Sequence, residues 1–363
     1  MNKKRVLFVG AFKKSVAGGA TGGVQSACNS LVESELLNFY EFELIDTSNN
    51  TVPPPKTYQK IHHIILRNIK SIYFLFFGRV STLICFSSSG KSLMEKGFLI
   101  FIAKLLGKKT IISIRSGDIE QQYNSSNSMK RILSSVLKYS DVIIGQSDYW
   151  SRFYSTVNTN NKNKIVTIYN WLNINEAQIL KDKNKEFVEL LFLGWIEKTK
   201  GIYDLIEAVD IIVKNNRNFK FKVNVCGGGA AKDDVIRIIK SKGIFEYFVF
   251  HGWVNGVAKE KILNSSDIFV MPTYFEGFPN SMIEAINYRC AVVINNIPTI
   301  EGYLDDGKHA LISQIGNKIL LASHIQKLME SFELREKLAN NALVLLKEKN
   351  NLSVAVEKFK SIL

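Results

Sequence analysis

The feature that most constrains the fold is an alternation of short apolar segments with amphipathic segments along most of the chain. In the first half the apolar segments are rich in Val, Ile and Phe, and they occupy 5–10, 42–46, 82–86, 110–114, 142–146 and 165–169. Helical patterns between them lie near 24–37, 92–106 and 128–139. Nearly continuous apolar runs of this length are typical of strands that a parallel sheet buries on both faces.

The second half repeats this rhythm after an Asn- and Lys-rich stretch at 158–185, which places a linker near 171–186. Strands are predicted at 188–193, 222–226, 248–251, 268–271 and 291–294, and helices at 201–215, 232–241, 256–264, 280–288 and 317–347. Strand–helix alternation specifies right-handed βαβ units in doubly wound sheets. We therefore expect an α/β protein with two Rossmann-like domains, 1–175 and 186–349, that face each other across a ligand-binding cleft.

The cysteines and the N-terminus bear on the cellular compartment. Cys28, Cys85, Cys226 and Cys290 are widely scattered and form no CxxC pair, which favours reduced thiols over a disulfide framework or a zinc site. The apolar run at 6–12 is too short for a signal peptide and ends at two lysines. The sequence contains no stretch of ~18 uninterrupted apolar residues, so no transmembrane helix is expected. The sequence thus predicts a cytoplasmic protein, either free or at the inner face of the membrane.

The net charge is +14, and it is concentrated in the first half, where residues 1–180 carry 22 Lys and Arg against 11 Asp and Glu. Such a half could face anionic lipid, nucleic acid or a phosphorylated substrate, or it could be a lysine-rich surface that maintains solubility. No interleaving of aromatic and basic residues supports nucleic acid, so that partner is not expected.

Two apolar segments of the first half raise the question of contact with an anionic membrane. Residues 69–77 are strongly apolar, and 96–109 reads as a basic amphipathic helix. The apolar side of that helix would consist of Phe98, Ile102, Leu105 and Leu106, and the lysines around it are Lys96, Lys104, Lys108 and Lys109. The alternative is a core helix of the sheet with solvated ends.

The most informative polar residues follow the fourth strand predicted in the second half. That strand runs into a loop with Glu276, and a helix begins where Asn280 or Ser281 can cap it, with Glu284 within about its first turn. The unpaired N–H groups at such a helix start, those of Asn280, Ser281 and Met282, favour a phosphate. The two carboxylates could accept hydrogen bonds from the hydroxyls of one ligand, or they could simply offset the helix dipole.

The run Glu276-Gly277-Phe278-Pro279-Asn280, followed by Glu284-Ala285, resembles the paired-glutamate signature of the family-4 retaining glycosyltransferases. The resemblance implies the GT-B fold, with two Rossmann-like domains across a cleft and a terminal helix, here about 350–363, that returns to the first domain. It places Glu276 near the donor sugar as a catalytic residue and Glu284 on the nucleotide ribose. Phe278, Asn280, Ser281 and Met282 would complete this side of the donor site.

A second segment resembles the first strand and loop of that family's donor domain. Gly194 would form the turn, and Lys200 would meet the donor diphosphate as a point charge. The family usually has Arg directly after this glycine, whereas this sequence has Trp195. The departure leaves Lys198 as the candidate for the missing half of the basic clamp.

Two further segments complete the resemblance to the donor domain. Gly227 and Gly228 lie in a glycine triplet that would approach the nucleotide, and Trp253 and Val254 would flank the base. A glycine triplet alone is a weak signal, so its position in this order of segments is what favours the interpretation.

In the first half, the glycine-rich stretch before the first helix resembles the family's acceptor-side loop, with Gly22 and Gly23 near the donor diphosphate; an ordinary turn is the alternative.

Many members of that family carry His at the position where this sequence has Arg115. Arg115 stays protonated and cannot act as a base, but it could hold a phosphate or an acceptor carboxylate. Asp118 is the nearest group able to accept a proton, unless it is a turn or capping residue.

The chemistry that these patterns imply needs neither a metal nor a cofactor, because the nucleotide-sugar is a substrate. No Asp-x-Asp motif is present, so Lys and helix N–H groups would stabilise the leaving diphosphate. The resemblance implies retaining transfer to a glycan or lipid-linked acceptor, by family analogy in bacterial cell-surface polysaccharide synthesis. The alternatives are a nucleotide-sugar 2-epimerase on the same fold and a catalytically silent sugar-nucleotide binding subunit.

Overall fold

The computed structural model describes residues 3–12, 23–48, 56–158, 164–174, 181–182, 185–215 and 219–363. The chain divides into two units, Met1–Asn173 with Asn351–Leu363, and Ile174–Asn350. Each unit contains a six-stranded sheet in which the paired strands are parallel. The predicted α/β class with two doubly wound parallel sheets is therefore confirmed.

The first unit has the strand order β2-β1-β3-β4-β5-β6. Its elements are β1 Lys4–Gly10, α1 Gly23–Val32, β2 Tyr40–Asp46, α2 Thr57–Phe77, β3 Thr82–Ser87, α3 Lys91–Leu105, β4 Lys109–Ile114, α4 Ile119–Ser125, α5 Asn127–Tyr139, β5 Val142–Gly145, α6 Asp148–Val157 and β6 Ile165–Thr167. Alternate side chains of β1 enter two different cores, Leu7 on the α2–α3 side and Phe8 on the α1 side. This two-sided burial explains why the strand sequences are almost continuously apolar.

The second unit has the strand order β12-β11-β10-β7-β8-β9. Its elements are β7 Val188–Leu193, α7 Ile202–Asn215, β8 Phe221–Cys226, α8 Lys232–Ser241, β9 Phe248–Gly252, α9 Gly256–Ser265, β10 Ile268–Met271, α10 Asn280–Asn287, β11 Ala291–Asn295, β12 Leu311–Ser313, α11 Lys318–Glu330 and α12 Phe332–Lys349. The central strand β7 pairs with both β8 and β10, so the loops after these three strands lie side by side.

The last helix, α13 (Leu352–Ile362), belongs to the first unit. Its residue Phe359 is fully buried among apolar side chains of the first sheet, and its ring centroid lies 5.6 Å from that of Trp171. The backbone N–H of Leu352 donates to the carbonyl of Leu172 at 2.9 Å. The chain thus returns to its first unit after completing the second.

Several predicted elements need correction. The helix predicted over 24–37 ends at Val32, because Ser34 caps a separate 3-10 helix. The single helix predicted over 317–347 is two helices, since the Ser331 hydroxyl accepts from the N–H of Leu334 and begins α12. Strand β12 and the long helix α2 were not predicted.

The four cysteines are buried and unpaired. Burial raises the pKa of the Cys28, Cys85 and Cys226 thiols to about 12 and that of Cys290 to about 11, so all four stay protonated at neutral pH. Within the described ranges, the structure contains no helix long and apolar enough to cross a membrane.

Candidate functional site

The candidate site is built at the carboxyl edge of the second sheet, where the loops after β7, β8 and β10 press against each other. Gly227 has φ +143°, and a Cβ there would lie 1.8 Å from the carbonyl oxygen of Gly194. Gly201 has φ +73°, and a Cβ there would lie 1.8 Å from the carbonyl oxygen of Pro272. Only glycine permits these backbone approaches, so Gly201 and Gly227 fix the shape of this edge.

Lys200 and Glu276 form an ion pair at this edge, with Lys200 Nζ 2.6 Å from Glu276 Oε1. Both side chains are about one-fifth exposed. The two loops are joined next to the pair, because the N–H of Tyr274 donates to the carbonyl of Thr199 at 3.0 Å. Lys200 was predicted to meet the diphosphate and Glu276 the sugar, and the structure brings the two groups into direct contact.

Helix α10 begins beside this pair without a side-chain cap. Pro279 precedes its first turn, so the predicted capping by Asn280 or Ser281 is wrong. Pro279, the residue at the N-cap, makes no side-chain hydrogen bond to the first turn. The positive end of the helix dipole is therefore available to an anion at this edge.

Glu284 lies in the second turn of α10 rather than in its first, which weakens the interpretation that it offsets the helix dipole. Its Oε1 accepts a hydrogen bond from Lys259 Nζ, on α9, at 2.9 Å. Lys259 was not predicted, and nothing in the local sequence distinguishes it from Lys261. The carboxylate of Glu284 is about one-quarter exposed and remains accessible to a ligand hydroxyl.

Two of the predicted donor-site residues belong to the core through their side chains. Met282 is fully buried, and Phe278 is 4% exposed with its ring centroid 5.0 Å from that of Tyr303. Such side chains position the loop and the helix, and only their backbone is left for a ligand.

Trp195 and Trp253 form an edge-to-face pair, with ring centroids 4.6 Å apart. Trp195 is 52% exposed, and a Cβ on Gly228 would lie 2.7 Å from Trp253 Nε1. The half-buried Val254 follows this pair in the chain. Trp195, which departs from the family pattern, therefore stands with Trp253 beside the glycine loop and can cover a flat ligand such as a base.

Lys198 lies in the 3-10 helix Lys198–Lys200, and its side chain is exposed. Among the described residues it forms no ion pair, and the structure does not bring it to either glutamate. Its carbonyl accepts from the N–H of Gly201, which completes the turn into α7.

In the first unit, Asp118 immediately precedes α4 and accepts hydrogen bonds from Ser116, from Ser89 Oγ at 2.7 Å and from Gln122 Nε2 at 2.7 Å. Burial opposes its ionisation, but these hydrogen bonds outweigh burial and hold the pKa of Asp118 below its usual value. A carboxylate stabilised in this way is a weak base. The structure favours the alternative that Asp118 is a turn residue.

Arg115 is buried at the end of β4, with its guanidinium carbon 4.6 Å from the Phe86 ring centroid and 4.8 Å from that of Trp171. Its Nε and Nη2 atoms have no hydrogen-bond partner within the described chain. Burial lowers the pKa of Arg115 to about 10, so the group is still a cation at neutral pH.

Of the two glycines predicted near the donor diphosphate, Gly23 is the first residue of α1, and Gly22 lies outside the described residues.

Residues 173–344 match the family described as glycosyl transferases group 1. All but the first of the matched residues lie in the second unit. The match covers its whole sheet, including the Lys200–Glu276 pair and Glu284. No group of three or more His, Cys, Asp or Glu residues in the described part of the chain could hold a metal ion.

Two curated relatives are glycosyltransferases. Alpha-D-kanosaminyltransferase of Streptomyces kanamyceticus is 23% identical over 173 residues, 48% of this chain and 44% of that protein. N-acetylgalactosamine-N,N'-diacetylbacillosaminyl-diphospho-undecaprenol 4-alpha-N-acetylgalactosaminyltransferase of Campylobacter jejuni is 22% identical over 75% of this chain and 74% of its own length. The chain spans about half the length of the first curated relatives that it matches.

A solved structure, Anabaena HepE in complex with UDP and glucose, is similar to 99% of this chain with a TM-score of 0.75 and 13% identity. The similar region covers 98% of the HepE chain. At this identity the likeness concerns the fold alone. The fold of this chain is GT-B, as the sequence predicted, with a Rossmann-like sheet in each unit.

Proposed function

We propose that this chain is a retaining, metal-independent glycosyltransferase that moves a sugar from a nucleotide-diphosphate-sugar to a glycan or lipid-linked acceptor in bacterial cell-surface polysaccharide synthesis. The observation that carries the proposal is the Lys200–Glu276 contact beside the uncapped start of α10. A cation, a helix N-terminus and a carboxylate at one point suit a leaving diphosphate and a sugar hydroxyl. We place the reaction in the cytoplasm, in keeping with four unpaired buried cysteines.

In this proposal the donor diphosphate competes with Glu276 for Lys200. Once the phosphate neutralises Lys200, the carboxylate of Glu276 is released to accept hydrogen bonds from the sugar. The charge that develops on the leaving diphosphate is met by Lys200 and the first N–H groups of α10, so no metal is needed. Glu284 holds the ribose, and Trp195 with Trp253 covers the base.

The relatives support the substrate classes. The HepE structure contains UDP and glucose, and the Campylobacter jejuni relative is named for an undecaprenol-diphosphate-linked acceptor. Another relative is a capsular polysaccharide biosynthesis glycosyltransferase of Staphylococcus aureus. We assign a nucleotide-sugar donor and a glycan or lipid-linked acceptor to this chain by analogy with them.

The donor site is tested by thermal denaturation with a panel of nucleotide-sugars. The matching donor should stabilise the wild-type chain by about 2.7 kcal/mol at a hundred times its Kd. Glu284→Ala should lose most of this gain, because hydrogen bonds to a charged group contribute about 1.5–3 kcal/mol each. Glu246→Ala, which removes an exposed carboxylate from the turn before β9, is the matched control.

The same donor then distinguishes the alternatives. We expect transfer in the presence of EDTA, with the anomeric configuration of the donor retained in the product by NMR. Stabilisation without turnover would support a silent binding subunit, and a C2-epimerised nucleotide-sugar would support an epimerase. A lack of stabilisation by any donor at millimolar concentration contradicts the donor site.

For the first unit we propose that Arg115 binds an anionic group of the acceptor, either a carboxylate or a phosphate. Its two unpartnered nitrogen atoms are a built-in pair of donors, and a buried cation without a carboxylate partner is costly in free energy. The charge of Arg115 interacts with Cys28, which stays protonated and therefore does not neutralise it. The stacking on Phe86 and Trp171 keeps the guanidinium plane fixed.

Arg115→Met should raise the KM for an anionic acceptor by about tenfold or more, since a charged hydrogen bond is lost. The unliganded variant should be as stable as wild type or more stable by about 1–2 kcal/mol, because an apolar side chain removes the buried charge and still packs between two rings. Calorimetry and transfer kinetics measure both effects. A variant that is strongly destabilised with unchanged KM would show that Arg115 is only structural.

A further inference from the structure

Helix α2 presents its apolar face to solvent. Only Ser71 and Leu75 are buried along its 21 residues. Eight large apolar side chains are exposed, among them Ile61, Ile65, Ile69, Tyr73, Phe76 and Phe77. Their spacing of three or four residues puts them on one side of the helix, opposite the side that packs on the sheet. A helix whose outward side is its apolar side is the inverse of an ordinary surface helix.

Helix α3 continues this face. Met94, Phe98, Phe101 and Leu105 are exposed at helical spacing, while Leu99, Ile100 and Ala103 are buried against the sheet. Both helices pack on the same side of the first sheet. We call the exposed apolar side chains of α2 and α3 together the α2–α3 surface.

The two helices are held together by a carboxylate that is hidden from solvent. Arg67 on α2 donates to Glu95 on α3 through Nε at 2.5 Å and Nη2 at 2.7 Å. Lys96 also donates to Glu95, at 3.1 Å. Lys96 is 2% exposed, so the predicted solvated lysine at this position is wrong. These ion pairs hold α2 against α3. Because Glu95 is hidden from solvent and paired with two cations, it adds no negative charge to the α2–α3 surface.

The charge around the surface is positive. Helix α2 contains no Asp or Glu, and its Lys60 and Lys70 are exposed and form no ion pair with any described residue. Beyond the last turn of α3, an open cavity of about 420 Å³ is lined by Lys104, Gly107, Lys108, Lys109 and Asp141. Three lysines against one carboxylate give this cavity a net positive charge suited to a phosphate headgroup.

The most exposed apolar residues lie at the same end as this cavity. Phe77 is 72% exposed at the end of α2, and Leu105 is 71% exposed at the end of α3. Helix α2 is followed by β3 and helix α3 by β4, so Phe77 and Leu105 lie at the amino edge of the first sheet. Arg115 follows the carboxyl end of β4 and therefore lies at the opposite edge. Docking through this end would leave the carboxyl edge uncovered.

We propose that the α2–α3 surface is a docking site for an anionic lipid bilayer, with Phe77 and Leu105 inserted among the acyl chains and the lysine-lined cavity on a lipid phosphate. An exposed apolar stripe flanked by lysines, on helices that lie flat on a sheet, matches the requirements of interfacial binding. A second copy of the chain fits less well, because a self-complementary interface would place these lysines opposite each other.

The test is co-sedimentation of the full chain with vesicles of phosphatidylglycerol and phosphatidylcholine in equal amounts, and with phosphatidylcholine alone. We expect binding to the mixed vesicles that weakens as salt rises from about 0.1 to about 0.5 M. Phe77→Ser with Leu105→Ser, and separately Lys70→Glu with Lys104→Glu, should each reduce binding by about tenfold or more.

The matched controls lie in the second unit. Ile319→Ser with Val344→Ser removes comparable exposed apolar side chains, and Lys318→Glu with Lys347→Glu makes the same change of net charge. Both should bind as wild type does. Equal loss in the controls, equal binding to phosphatidylcholine alone, or no binding at all would overturn the proposal.

A dimer in solution that Phe77→Ser with Leu105→Ser dissociates would also overturn it, in favour of a second copy. All variants change exposed residues, and an unchanged Tm checks that they are folded. The assay contains no nucleotide-sugar, so failure here is distinct from failure of the proposed transferase function, on which the docking surface does not rest.

Discussion

Lys200→Met should lower the kcat of sugar transfer by about 10²- to 10³-fold, because it removes a preorganised positive charge from the leaving diphosphate. The loss should fall mainly on kcat, since the charge that Lys200 meets grows as the sugar departs. Steady-state kinetics with saturating donor measures the effect. Lys200→Arg should retain more activity than Lys200→Met, although the guanidinium cannot reproduce a compact point charge.

Stability separates this effect from simple unfolding. The Lys200–Glu276 pair is partly exposed, and pairs of this kind contribute about 0–1 kcal/mol, so the Tm of Lys200→Met should stay close to that of wild type. Lys220→Met breaks another Lys–Glu pair, with Glu186, at 3.1 Å before β8, and should leave transfer unchanged. A loss of kcat no larger in Lys200→Met than in Lys220→Met would contradict the role of Lys200.

The strands could be predicted because a parallel sheet covered on both faces requires apolar residues at every position. The run Val6 to Val9 is buried throughout, and so is the run Ile268 to Met271. The loops that follow such strands could be predicted to meet at one edge. Glu276 and Lys200, 76 positions apart, were both nominated because their segments resemble those of the family-4 donor domain. The direct ion pair between these two residues could not be predicted, because a contact depends on how far each side chain reaches and not on sequence order.

Helix α2 shows where pattern reading fails. Amphipathic helices are recognised by assuming that the apolar side is buried, but in α2 the buried residues include Ser71 and the exposed ones include Phe76 and Phe77. The sequence 69–77 was noted only as an apolar run. Lys96 was misplaced for the related reason that a lysine was assumed to be solvated, whereas Glu95 allows it to be buried.

In the candidate site, the sequence did not predict the residues whose role depends on a contact with another side chain. Lys259 becomes relevant only because α9 brings it within 2.9 Å of Glu284. Trp195 was treated as a departure from a basic clamp, yet in the structure it stands against Trp253. Both contacts join segments distant in sequence, which periodicity and propensity do not encode.

Gly227→Ala should destabilise the chain by about 3 kcal/mol or more, which for the second unit corresponds to a fall in Tm of roughly 6–12 °C. A Cβ at this position would lie 1.8 Å from the Gly194 carbonyl oxygen, a backbone atom, so the loops after β7 and β8 would have to separate. The φ of +143° adds strain, because L side chains rarely adopt that conformation. Calorimetry or thermal denaturation measures the change.

Gly243→Ala separates the two causes, because Gly243 has φ +69° but no atom within 4 Å of its added Cβ. That variant should cost only about 1–2 kcal/mol, the penalty of a left-handed backbone for an L residue. If Gly227→Ala were no more damaging than Gly243→Ala, the two loops would not be in contact. The glycine triplet would then be only a flexible turn, and the surface assigned to the nucleotide would lose the rigidity that its function requires.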